Sequence, residues 1–186
     1  MTTTPPPPSS PSPAAFFAIT NPGNPHAVAR SIARKATYSA WVAATPDLEA
    51  DIDTTALSLV NAWALTEGHI KAGLRAIHRL NELPAVKLLQ DTHCLLDIES
   101  LIAIDQPMAA LTTHNPATLA VIDCLLAEYF TPTKPNQVFP TRSQIRRKVR
   151  DLCKSLDDTI AYRDTRPHDS STCLLYPSPS PRDLST

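Results

Sequence analysis

Only three of the 186 residues are glycine, and aromatic side chains are scarce at 5%. No Gly-rich phosphate loop, GxSxG elbow, HExxH pair, CxxC pair or DxDG-type calcium loop occurs before the final segment, so the common motif-borne chemistries find no carrier. Cysteine is also sparse. Of the four cysteines, the three before the final segment, Cys94, Cys124 and Cys153, are an odd number spaced too widely for a paired metal motif, and they read as buried reduced thiols. Neither charge sign dominates, because 17 Lys and Arg face 18 Asp and Glu for a net charge of -1; bulk electrostatics therefore names no partner. No apolar run reaches bilayer length and no charged n-region precedes one, so the expectation is a cytoplasmic chain with no membrane partner.

What remains is Ala, Leu and proline punctuation, a balance that favours helices over sheets. Met1–Pro22 is a Thr-, Pro- and Ser-rich leader with little to bury; it is expected to be disordered, with Phe16, Phe17 and Ile19 available to dock on the domain. Residues 23–166 are read as one helical domain. Asn24-Pro25 caps a first helix reaching Pro46 with Val28, Ile32, Ala36, Ser39 and Val42 on its inner stripe. A second starts near Asp53, with Leu57, Val60 and Ala64 in one row and Leu59 and Trp63 alongside. Thr66 opens a third, with Ile70, Leu74, Ile77 and Leu80 at intervals of four and three.

The apolar stretch Ala85–Ile104 predicts one central helix stopping near Asp105-Gln106-Pro107. Asn115-Pro116 caps the next, through Phe130. Thr141 and Gln144 form a capping box for the last, with Ile145, Val149, Leu152, Leu156 and Ile160 inward and an end near Tyr162. The expectation is an all-α, irregular bundle of five to seven helices between disordered N- and C-terminal tails.

Candidate chemistry is thin. His69 and His78 lack the i, i+4 spacing of a helical metal pair, and the adjacent His93 and Cys94 point about a hundred degrees apart. Asp91, Asp97, Glu99 and Asp105 are read first as the polar face of a core helix, and second as acid or base partners for His69 and His93. No catalytic or metal residue is assigned. The sharper signal is the last helix, where Arg142, Arg146, Arg147, Lys148, Arg150 and Lys154 stand against Asp151 alone. Such a cluster is the electrostatic footprint of phosphate binding, and makes DNA the candidate partner.

Two resemblances bear on this. The segment Ala64-Leu65-Thr66-Glu67-Gly68-His69 through Arg75 and Leu83-Pro84, the Leu-rich stretch after it, and Pro140–Val149 with Leu156-Asp157 resemble the helical domain of unknown function that precedes HNH endonuclease domains in actinobacterial repeat proteins. The resemblance covers roughly residues 50–166. It implies a module accessory to DNA binding or processing, with no cofactor of its own; a divalent metal would belong to a nuclease domain on its C-terminal side. A non-catalytic interaction or dimerisation module, as a homo-oligomer, is the rival reading. Cys173–Asp183, CLLYPSPSPRD, is similar to a translated transposase-type sequencing adapter, CLLYTSPSPRD, differing at Pro177. It implies that residues 173–186 are not natural and that the protein continues past about Thr172, where reading the coding DNA would reveal the residues that replace them.

Overall fold

The computed structural model describes residues 15–111 and 116–156. It is all-α, with seven helices and no strand among the described residues: α1 (Pro25–Ala44), α2 (Ile52–Trp63), α3 (Glu67–Leu80), α4 (Pro84–His93), α5 (Ile98–Met108), α6 (Pro116–Tyr129) and α7 (Arg142–Leu156). Residues 1–14 of the expected leader, the expected C-terminal tail, the Asn115 cap, and Ile160 and Tyr162 of the last helix lie outside the described residues.

Where apolar spacing and a cap agree, the helices form as expected. Asn24 Oδ1 accepts from the His26 and Ala27 amides, and Thr66 Oγ1 from His69. At the head of α7 the capping box closes in both directions: Thr141 N donates to Gln144 Oε1 at 2.8 Å and Gln144 N to Thr141 Oγ1 at 3.4 Å. Ile70, Leu74, Ile77 and Leu80 of α3 are buried, as are Ile145, Val149, Leu152 and, as expected of a buried thiol, Cys153 of α7; Leu156, expected on the same inward face, is exposed.

Several other expectations fail. The Ala85–Ile104 helix is two helices, broken at Cys94, which takes a left-handed conformation at φ 47°. The break is held by the buried Gln90, whose Nε2 donates to Leu96 O and whose Oε1 accepts from Leu96 N, both at 2.9 Å. Asp97 then caps α5 by accepting from Ser100 N at 2.8 Å, and α5 runs one residue past Pro107. Leu88, expected inside, is exposed. In α1 the inward stripe is Ala27, Ser31, Arg34, Tyr38 and Trp41, rotated by one residue from the expected row; Val28, Ile32 and Val42 face outward. In α2, Leu57 is exposed and Ile52 and Ala56 are buried instead. Cys124 is also exposed, although Cys94 and Cys153 are buried, and all three are free thiols.

The N-terminal side packs earlier than residue 23. Phe17 is buried edge-on against Phe139 at 5.0 Å, while Ala18 N donates to Gln137 O at 2.9 Å and Gln137 N to Phe16 O at 3.1 Å. At the centre lies α5, packed on α3 and α7, with eight of its residues buried. α1 and α2 pack on α3, and α4 and α7 both meet α6.

Gly73 sets how closely α1 approaches α3. A Cβ built there would overlap ring atoms Cζ3 and Cη2 of the buried Trp41, which in turn stacks edge-on with Trp63 at 4.6 Å. Ala is the better helix former by about 1 kcal/mol, but forcing a methyl into this contact costs about 1–3 kcal/mol and more where backbone must move. Gly73→Ala should therefore lower the urea midpoint of unfolding; a midpoint at or above wild type would show that Trp41 does not need that space.

Candidate nucleic-acid interface

The capping box fixes where α7 begins, and its apolar residues turn one side toward α5 and α6. At about 100° per residue, Arg142, Arg146, Arg150, Lys154 and Arg147 then fall within an arc of about 140°. Lys148 does not belong to it. It lies about 100° beyond the arc and places Nζ 5.9 Å from the centre of the Tyr129 ring on α6, a cation–π contact. So five of the six predicted cations share one face and the sixth serves packing.

Four of those five line a groove of about 610 Å³ between α3, α5 and α7: Arg142, Arg146, Arg147 and Arg150, with His69 and Gln106 on the opposite walls. The acid inside it is Glu99, whose Oε1 is 3.5 Å from His69 Nε2 and whose Oε2 is 3.4 Å from Arg142 Nη1. Asp97 Oδ2 lies 3.6 Å from Arg142 Nη2, and Asp151 Oδ2 is 3.8 Å from Arg147 Nε. All are partly exposed pairs, each worth about 0–1 kcal/mol, and a phosphate can compete for the same donors. The groove walls are invisible in the sequence because they come from helices far apart along the chain; His69 and Glu99 stand there only among the possible acid–base partners, with no pairing between them assigned.

The other acids are accounted for by structure. Asp91 accepts from Tyr38 Oη at 2.9 Å and pairs with Lys87 at 3.0 Å, and Asp97 is a helix cap. His69 meets Glu99, whereas His93 sits exposed in the last turn of α4. Among the described residues, no three His, Cys, Asp or Glu side chains are grouped to hold a metal ion, and no helix is long and apolar enough to cross a membrane. Comparisons with protein-family models, curated proteins and solved structures found no match.

Of the four candidate acids Asp91, Asp97, Glu99 and Asp105, only Asp105 is buried, with Arg79 Nε 3.3 Å from its Oδ1. Burial raises its carboxyl above the usual carboxylate value, and the hydrogen bond and charge of Arg79 offset this only in part. The folded chain thus holds this proton more tightly than the unfolded chain, so the site's contribution to stability is present at low pH and lost as pH rises through the folded value. Asp105→Asn should remove that contribution. Denaturation profiles between about pH 7 and pH 4 should show wild type gaining on the variant as pH falls; a constant difference would mean that the carboxyl is not raised.

Proposed function

We propose that this chain is a non-catalytic helical module that binds the phosphate backbone of duplex DNA through the arginine face of α7. The observation that carries the reading is the gathering of Arg142, Arg146, Arg147 and Arg150 along one groove, with Lys154 on the same arc. Guanidinium groups present paired N–H donors that match phosphate oxygens, and they keep their charge at any physiological pH. The groove has no Phe, Tyr or Trp in its lining, which favours backbone contact over base stacking. Its donors reach phosphates without reading bases, so the binding is expected to be independent of sequence. The resemblance to HNH-associated helical domains extends the proposal: the module holds DNA for a metal-dependent nuclease domain on its C-terminal side, in the cytoplasm.

The test is a fluorescence anisotropy titration of a labelled duplex across salt concentrations. Replacing Arg146 and Arg147 by Ala should weaken binding by roughly tenfold at low salt and flatten the dependence of log K on log salt by about 2. Lys148→Ala should change neither quantity, because that side chain belongs to the Tyr129 contact. Adding magnesium or manganese should produce no cleavage. Equal binding by the double-Ala variant would remove the arginine face from the interface, and metal-dependent cleavage would show an active site within the described residues.

A further inference from the structure

We propose that DNA binding at the arginine groove is governed by pH, with Glu99 as an internal anion that competes with phosphate and His69 as the group that takes it out of competition. The inference rests on the DNA reading and assigns that site its regulation. Four arginines lining a groove would by themselves be indifferent to pH, because guanidinium groups keep their charge throughout the physiological range. Glu99 changes this. It stands on α5 and its two oxygens face different helices: Oε1 lies 3.5 Å from His69 Nε2 on α3, and Oε2 lies 3.4 Å from Arg142 Nη1 on α7.

One carboxylate therefore couples an imidazole to an arginine. While the imidazole is neutral, the charge of Glu99 is balanced from the Arg142 side, and a phosphate arriving there meets a like charge already in place. Once the imidazole carries a proton, it forms an ion pair with Glu99, and Arg142 is left to turn its donors to phosphate. The imidazole is held in position for this. Its ring lies edge-on to the buried Trp41, with centroids 6.1 Å apart, and the backbone amide of His69 donates to the Thr66 cap. Among the described residues, α1 presents to it the Trp41 ring, α5 presents Glu99 and the neutral Gln106, and α7 presents Arg142, Arg146, Arg147 and Arg150. Asp53 of α2 is engaged elsewhere, by Lys71 and Arg75. An isolated imidazole takes up its proton near pH 6.5, whereas carboxylates and guanidinium groups titrate far from neutrality. The added affinity is thus present when the imidazole is protonated and is lost as pH rises through its titration; by reciprocity, binding the duplex takes up a proton.

Anisotropy titrations of a labelled duplex with the full chain, at constant ionic strength from about pH 8 to about pH 5.5, read the effect directly. Wild type should tighten by roughly threefold to tenfold over that range, the scale of one partly exposed charge acting on one phosphate contact. His69→Gln should lose most of this response, while any contribution from exposed histidines such as His93 persists in both proteins. Glu99→Gln should bind roughly threefold or more tightly than wild type at pH 8, because the competing charge is gone. A circular dichroism melt at each pH confirms folding; should His69→Gln not fold, the gain in Glu99→Gln still decides. An equal pH response in wild type and folded His69→Gln, or a Glu99→Gln affinity at or below wild type at pH 8, overturns the proposal and leaves the DNA reading standing. Absence of duplex binding at every pH in low salt removes the DNA reading, and the proposal with it.

Discussion

The architecture depends on how the two ends of α4 are satisfied. Its N-terminal amides point into the protein, where water is scarce, and the buried carboxylate of Asp123 on α6 accepts from Ala85 N at 2.8 Å and Val86 N at 2.9 Å. Its C-terminal end turns on the buried Gln90, which takes up both backbone groups of Leu96. Leaving any of these groups unpaired would cost about 1–3 kcal/mol apiece. With both ends tied, α4 stays on α6, the chain reverses at Cys94, and α5 leaves in the direction that sets it between α3 and α7. The arginine groove is the outer edge of that arrangement, so two polar side chains in the core determine where the cations of α7 can gather.

The same logic explains what was legible in the sequence. α3 and α7 were readable because every signal agreed: a side-chain cap at Thr66 or Thr141, then apolar residues at helical spacing that are buried. The break between α4 and α5 was not, since Cys94 is neither Gly nor Asn, the residues that usually mark a left-handed helix end. The device that stabilises it is a glutamine pairing six residues ahead, and an Asp97 cap hidden inside a Leu-rich run. For α1 the inward row contains Arg34 and Ser31, and the competing row Val28, Ile32, Val42 is the more apolar one. A pattern reading assigns the apolar row to the core, which fails here because the helix is oriented by Trp41 packed on Gly73 and by the Arg34 bonds to Cys94 O and Ile19 O.

The site was half legible. Composition located the cations on one helix, but not that Lys148 turns away to Tyr129, because assigning faces requires knowing which neighbour α7 packs against. Nor could it pair them with Glu99 and His69, whose approach depends on the α4 turn. Glu99 is the more telling of the two. A carboxylate between His69 and Arg142 holds the guanidinium at the groove in the absence of an anion, at small cost since both groups are partly exposed.

The near-neutral total charge conceals a strong segregation. Six of the 17 Lys and Arg and one of the 18 Asp and Glu lie on α7, which leaves eleven cations to seventeen acids along the rest of the chain. α7 is thus the densest concentration of positive charge among the described helices, with α1 next at three cations and no acid, and such charge is felt by an anion within a Debye length of about 8 Å at physiological salt. Under the proposed DNA reading, the density of donors on α7 would favour orientations that turn this helix to the backbone, even where contacts carry no base specificity. An accessory module needs that property more than it needs affinity. If, as proposed, the module holds DNA for a nuclease domain placed after α7, that domain would meet its substrate in a constant geometry to the extent that the arginine groove, where donors are densest, is the preferred seat of the backbone.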